Sequence, residues 1–278
     1  MTGVARLACT KLRPRARSMT SNPHPLLEGV RTLDSSITFQ QLLDFTARGK
    51  LRAFARHPDV ELKYQLAKRE LAKRGLPVSS SVLQREYGTS NRESVLRVAQ
   101  SELDWSRLVP NTYPYYVDEA KHLVLWSLES LDVESFESGQ STSASSFMTD
   151  ASSDSTDRYV GERRCLNLQL RLVMPSGTYL SHSDDAVREV DERIAHVTDA
   201  EVVRDKHVVR LVRKHLCERL CRETAESFAF DGCSFVNPTA LRSIPDVSHA
   251  QVFLRSLDPA GNCDNSLLDR LFFSGKAH

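Results

Sequence analysis

Residues 235–255 read FVNPTALRSIPDVSHAQVFLR, and this stretch determines most of what the sequence predicts about the fold. It begins with a short apolar run, passes through a proline-containing loop and resumes as an extended segment. From His249 onward two sets of residues alternate, which is the pattern of a β-strand at 249–255. His249, Gln251 and Phe253 therefore share one face, with the imidazole and the carboxamide about 7 Å apart at roughly 3.3 Å per residue.

A second dense stretch, PNTYPYYVDEAKHLVLWS, occupies residues 110–127. It carries an aromatic turn followed by a short run that is apolar on both faces, which predicts a strand at 122–127 covered on two sides. A histidine in such a strand, here His122, is more often a satisfied core residue than a ligand. We expect the two stretches to meet in the folded protein.

Helical periodicity dominates the rest of the sequence. Apolar residues recur at spacings of three and four from residue 38 to residue 75, and the basic outer face of this region reads as solvated. One further helix is predicted at 184–197 and another at 199–228. The second has an apolar stripe beneath a charged face, on which His215 is expected to meet solvent. The Asp231-Gly232 pair is predicted to close this helix.

The predicted fold class is α+β, with an N-terminal helical region followed by a mostly antiparallel sheet and the long helix packed on one face. From Arg164 to Met174, leucines alternate with polar residues, and this is the clearest half-buried strand in the sequence. The predicted strands lie at 122–127, 165–173, 234–237 and 249–255.

We expect a single domain built from residues 35–131 and 161–273. Between them, residues 132–160 form a Ser-rich insertion with too few apolar groups to offset its ordering entropy, and we predict that it is disordered. Residues 1–27 are predicted to be disordered or a targeting segment, because they are basic and contain no acid, as mitochondrial transit peptides do. A plain basic tail, with Met19 as the true start, is the alternative, and the expected compartment is intracellular, mitochondrial or otherwise cytoplasmic.

Composition excludes several classes of partner. The 278 residues are 40% hydrophobic and carry a net charge of +1. The protein as a whole therefore has no electrostatic attraction to nucleic acid or to an anionic membrane. No apolar run approaches the roughly 20 residues of a membrane span. The six cysteines are scattered, which predicts free thiols. Cys217 and Cys221 stand one helical turn apart without a second pair, so we predict no metal site and no cofactor.

The two dense stretches resemble an uncharacterised eukaryotic family that includes the N-acetylglucosamine-induced protein. The resemblance rests on LRAFARHPDVELKY at 51–64, an N-x-x-P-Y core at 111–115, the HLVLW run at 122–126 and FVNPTALRSIPDVSHAQVF at 235–253. It implies an association with amino-sugar response and no defined activity. Where that family usually has His-x-His, this chain has His249-Ala-Gln251.

The order of motifs is also similar to that of histidine-triad nucleotidyl hydrolases and transferases. In their uridylyltransferase branch, the nucleophilic histidine is followed two residues later by glutamine, as His249 is followed by Gln251 here. The similarity implies that His249 attacks phosphorus to form a phosphoramidate, while Gln251 donates a hydrogen bond to the phosphoryl oxygens. The full triad and a glycine-rich phosphate loop are absent from the sequence.

Two functions therefore remain open, and whether the protein is an enzyme stays undecided. The first is a small-molecule site for a nucleotide, nucleotide-sugar or sugar phosphate, with His249 and Gln251 as catalytic residues. The second is a non-catalytic binding or regulatory protein in which the same His, Gln and Asn side chains form a structural cluster. The residues predicted to bind the ligand are Asn237, Ser243, His122, Tyr115, Trp126 and Asn111.

Overall fold

The computed structural model describes residues 24–98, 102–137, 167–182, 186–189, 197–221, 223, 227–242, 244 and 247–274. Most of the predicted targeting segment, the predicted insertion after residue 137 and the predicted ligand-binding residue Ser243 lie outside these ranges. Within the described ranges, no helix is both long enough and apolar enough to cross a membrane.

Most helices precede the sheet, and one long helix interrupts it. The helices are α1 (Phe39–Ala47), α2 (Pro58–Lys73), α3 (Val78–Tyr87), α4 (Arg92–Val98), α5 (Glu102–Trp105), α6 (Val133–Glu137), α7 (Asp199–Leu220) and α8 (Ser266–Leu268), which continues into the wider turns of Asp269–Phe273. The strands are β1 (Ser106–Pro110), β2 (Lys121–Ser127), β3 (Leu168–Met174), β4 (Gly177–Ser181), β5 (Ala186–Glu189), β6 (Phe228–Val236) and β7 (Ser248–Leu257).

The seven strands of the described residues form one sheet in the order β1-β2-β7-β6-β3-β4-β5. Strands β3 and β6 are parallel, and the other neighbouring pairs are antiparallel. This arrangement confirms the predicted α+β class. Strands β2 and β7 come from the two stretches that we expected to meet, and they are direct neighbours, with Trp126 opposite His249 and Val124 opposite Gln251.

The long helix α7 covers one face of the sheet, as predicted. Thr198 caps its start, because the Thr198 hydroxyl accepts a hydrogen bond from the Glu201 N–H (3.2 Å) and the Glu201 carboxylate accepts one from the Thr198 N–H (2.9 Å). The apolar stripe of α7 is buried against aliphatic side chains of the sheet, including Leu125 and Val252. Each fully buried side chain of this kind contributes about 1.5–3 kcal/mol.

The predicted end of the long helix is wrong. Helix α7 ends at Leu220, and Asp231-Gly232 lies inside the long strand β6, of which the predicted strand 234–237 is only the last part. A Cβ at Gly232 would stand 1.9 Å from the carbonyl oxygen of Phe253 on β7. The glycine is therefore needed for the close approach of two central strands, and it does not act as a helix stop.

Two other local predictions fail because tertiary contacts override the local pattern. Within the predicted helix 184–197, the described residues Ala186–Glu189 form the edge strand β5, which pairs with β4. His215, predicted to meet solvent, is buried under the sheet, where its Nε2 lies 2.8 Å from the Ser106 hydroxyl.

The first residues of the predicted insertion are ordered. Helix α6 spans Val133–Glu137, and the ring of Phe136 lies 5.9 Å from that of His207 on α7. The structure therefore differs here from the prediction that disorder begins at residue 132. Residues 138–160 of the predicted insertion lie outside the described residues.

The opposite face of the sheet carries two apolar clusters with a polar strip between them. In the first cluster, Phe54 stacks on Phe235 and Phe253 with ring centroids 5.0 and 6.0 Å apart, and α1 covers them. In the second cluster, side chains of α3 such as Val82 pack on Trp126 of β2. The polar strip consists of side chains from β2 and β7, including the residues that the sequence singled out.

Replacing Gly232 by alanine should destabilise the protein by about 3 kcal/mol, because the added methyl group collides with backbone rather than with a flexible side chain. Urea unfolding measures this loss. Gly49→Ala is the control, since its φ is +62° but nothing lies within 4 Å of the added carbon, and it should cost about 1 kcal/mol. Equal losses in the two variants would contradict the close approach of β6 and β7.

Candidate ligand-binding site

A cavity of about 300 Å³ lies between helices α2 and α3 and strands β1, β2 and β7. It lies beside the second apolar cluster of this sheet face, whose Val82 and Trp126 line it. Val124 and Trp126 of β2 and His249 and Gln251 of β7 form the sheet side of the cavity. We call these four residues the cavity floor.

Gln251 is held by a chain of hydrogen bonds that begins at the backbone of the aromatic turn. The N–H of Tyr115 donates to Nδ1 of His122 at 2.9 Å, so the proton of this imidazole is on Nε2. Nε2 lies 2.7 Å from Oε1 of Gln251 and donates to it. Burial lowers the pKa of His122 to about 3, which keeps the ring neutral.

Asn111 also contributes an amide nitrogen next to this chain. Its Oδ1 accepts the Tyr113 N–H at 2.9 Å, which places Nδ2 3.1 Å from Nε2 of His122. Because Nε2 carries a proton, both nitrogens are donors and this contact is not a hydrogen bond. The Asn111 amide therefore adds a second N–H donor to the cavity wall.

His249 has the opposite tautomer. Its Nδ1 lies 3.0 Å from the carbonyl oxygen of Val247, which only accepts, so Nδ1 carries the proton. Burial lowers the pKa of His249, and Nε2 makes no hydrogen bond with a described residue. The ring centroid lies 4.9 Å from that of Trp126. The histidine therefore offers the cavity a fixed acceptor.

The helix side of the cavity carries cations, of which Arg56 and Arg85 are paired with the carboxylates of Glu61 and Glu86. Among the described residues that line it, Arg56, Lys68 and Arg85 are cationic and Glu70 is acidic. Arg56 is fixed, because its Nε donates to the Tyr113 carbonyl at 2.9 Å and the guanidinium lies over the Tyr64 ring at 4.2 Å. Lys68 makes no ion pair with a described residue.

The structure brings four of the eight predicted site residues to the cavity: His249, Gln251, Trp126 and Asn111. Three other predicted site residues lie behind the cavity wall and do not line the cavity. His122 supports Gln251, Tyr115 stacks on His122 with ring centroids 5.1 Å apart, and the buried Asn237 contacts the Tyr115 hydroxyl. The eighth, Ser243, is outside the described residues.

Sequence reasoning missed the cationic residues of the cavity. Arg56 and Tyr64 belong to the LRAFARHPDVELKY stretch that was quoted for the family resemblance, and Lys68 was read as part of a solvated basic face. The signal in the sequence was a cation, Lys68, one helical turn after Tyr64 on α2. That signal does not show which side of the helix faces the sheet.

Residues 38–171 match the model of a family described as a protein of unknown function, DUF3605. No curated protein matches the sequence. A solved structure described as the crystal structure of HTC1 is similar, with 18% identity, a TM-score of 0.42, and coverage of 81% of this chain and 88% of that chain. The family match includes Arg56, Asn111 and Trp126 of the cavity, whereas His249 and Gln251 lie beyond it.

Acid should destabilise the protein through its buried histidines. His122 has a pKa of about 3 in the folded state and 6.5 in the unfolded chain. Between these two pH values the unfolded chain binds a proton at this residue that the folded protein does not bind. The free energy of unfolding therefore falls as the pH falls below 6.5. His122→Gln should therefore lose on the order of 2 kcal/mol less than the parent between about pH 7.5 and pH 5. Urea unfolding at several pH values measures the slope, and an unchanged slope would show that His122 is not buried as a neutral ring.

Proposed function

We propose that the cavity binds a small phosphate-bearing molecule, such as a nucleotide, a nucleotide-sugar or a sugar phosphate, and that His249 acts on it as nucleophile or general base. The observation that carries this proposal is the position of an unpaired imidazole acceptor and an amide donor on the floor of a cavity that Lys68 lines from the helix side. Perturbed histidines that converge on a ligand-sized cavity are the usual signature of a functional site.

The charge distribution supports a phosphate ligand. Lys68 lines the cavity and makes no ion pair with a described residue, so its ammonium group can attract a phosphate, whereas Arg56 and Arg85 are already paired with Glu61 and Glu86 and would add only further N–H donors. Arginine is suited to phosphate because its planar fork presents parallel N–H donors. The aromatic and aliphatic residues of the cavity, including Trp126 and Tyr113, would contact the less polar part of the ligand.

The similarity to histidine-triad proteins supports the chemistry that we propose. Nε2 of His249 would attack phosphorus, the bond from phosphorus to the leaving group would break, and water would then cleave the phosphoramidate. The Gln251 amide would donate to a phosphoryl oxygen as charge develops on it. The resemblance to the N-acetylglucosamine-induced protein adds amino-sugar phosphates to the ligands that we propose.

A second function is favoured by the burial of the cavity floor. His249 is 3% exposed, and Gln251 and Trp126 are each 6% exposed, as expected of a cluster that stabilises the sheet without turnover. In this alternative the protein is a binding or regulatory protein, and the floor residues have a structural role.

A thermal-shift screen over nucleotides, nucleotide-sugars and sugar phosphates tests binding. A ligand at about 100 times its Kd should stabilise the native state by about 2.7 kcal/mol, which corresponds to a rise of about 5 °C or more in Tm. Lys68→Ala should raise about tenfold the ligand concentration that is needed for the same shift in Tm, because Lys68 lines the cavity. Lys63→Ala is the matched control on the same helix, exposed and away from the cavity. No shift with any member of the screen would contradict the proposal.

Two substitutions of His249 separate catalysis from structure. His249→Asn keeps an N–H that can donate to the Val247 carbonyl and removes the Nε2 acceptor, whereas His249→Ala removes both. Under the catalytic proposal, the asparagine variant keeps its stability to within about 1 kcal/mol and loses turnover of the ligand identified in the screen. If both variants lose stability while ligand binding is unchanged, the floor is structural and the catalytic proposal fails.

A further inference from the structure

We propose that the cavity floor selects a phosphate ester that carries hydroxyl groups, with a ligand hydroxyl donating to Nε2 of His249 and a ligand oxygen accepting from the Gln251 amide. This inference rests on the proposed function in its general-base form, in which Nε2 of His249 accepts the proton of a ligand hydroxyl, and it narrows the class of ligand. It assigns His122 as the positioning residue that sets which hydrogen bond Gln251 can offer.

The first step is the orientation of Gln251. The backbone N–H of Tyr115 can only donate, so Nδ1 of His122 accepts and Nε2–H is left to donate to Oε1 of Gln251. A reversed amide would place two donors 2.7 Å apart inside the protein. The Gln251 oxygen is therefore used within the protein, and its NH₂ group is left for the cavity that the side chain lines.

The second step is the assignment of donor and acceptor roles to the two ring nitrogens of His249. Its Nδ1–H is committed to the Val247 carbonyl, and its neutral Nε2 is an acceptor. A fully ionised phosphate or sulfate oxygen placed there would bring a lone pair against a lone pair. The ligand must therefore carry a proton at this position, as a hydroxyl group does.

The third step is the distance between the two groups. His249 and Gln251 are two residues apart on β7 and face the same side, which separates them by about 7 Å. Lys68 lines the cavity from the helix side, opposite the floor, so a ligand that contacts His249, Gln251 and Lys68 together must extend across the cavity, which inorganic phosphate does not. A sugar phosphate can contact all three groups, because its hydroxyls and ring oxygen would lie along the floor while its phosphate would lie against Lys68.

Matched ligands test this selectivity by calorimetric titration of the full chain. Hexose, pentose and amino-sugar phosphates are compared with cyclohexyl phosphate, and AMP is compared with 2′,3′-dideoxy-AMP. We expect the hydroxylated member of at least one pair to bind tenfold or more tightly than its partner. Equal affinity within every pair would overturn the inference and leave the proposed phosphate site standing. Failure of every phosphate ester to bind would overturn both.

Variants of the positioning residue give a readout that a structural role would not change. His122→Phe keeps a ring in contact with Tyr115 and Phe253, whose centroids lie 5.1 and 4.1 Å from that of His122, and removes both hydrogen bonds. We expect the affinity ratio within a matched pair to fall about tenfold, because Gln251 can then turn either end to the cavity. A ratio equal to that of the parent would contradict the role of His122.

Gln251→Glu provides an independent test if the phenylalanine variant does not fold. A carboxylate can still accept from His122 but presents an acceptor to the cavity in place of the amide N–H. We expect tenfold or greater loss of affinity for the hydroxylated phosphate, measured on protein whose unfolding transition remains cooperative. Unchanged affinity in that folded variant would show that the amide does not donate to the ligand.

Discussion

The hydrogen bond from Nε2 of His122 to Oε1 of Gln251 is the contact on which the geometry of the cavity depends. It joins β2 to β7 through their side chains, and both partners are 6% exposed. At such a site, leaving either group unpaired costs about 1–3 kcal/mol, so neither side chain can turn away from the other. The bond therefore fixes one end of the cavity floor before a ligand binds.

Stacked aromatic rings hold this bond in place. The His122 imidazole contacts both Tyr115 and Phe253, which also contact each other, and Phe253 continues into the stack of Phe54 and Phe235. An entirely apolar sheet face would bury more surface without the need to pair amides and imidazoles. Here polar side chains of β2 and β7 interrupt that face, and Gln251 and His249 line a cavity beside the second apolar cluster. Such a local departure from the rules that build a fold is expected at a functional site.

Features that depend on local periodicity could be predicted from the sequence. Features that depend on contacts between strands far apart in the sequence could not. Alternation alone placed His249 and Gln251 on one face, because a strand has a period of two. Gly232 was misread as a helix stop, since its requirement comes from the carbonyl of a strand that lies later in the chain. The cationic residues of the cavity were missed for the same reason. Arg56, which precedes α2, and Lys68 on α2 become cavity residues only when this part of the chain is placed over β2 and β7, and no local spacing specifies that placement.

The protonation states of His249, on the cavity floor, and His122, behind the wall, test the proposed geometry most directly. In ¹⁵N-labelled protein, long-range ¹H–¹⁵N correlation spectra at about pH 7 distinguish the two neutral tautomers from each other and from the imidazolium ion. The account predicts that His122 is neutral with its proton on Nε2, and that His249 is neutral with its proton on Nδ1. The reverse tautomer at either residue, or a charged ring at His122, would contradict the oriented floor that the proposed site requires.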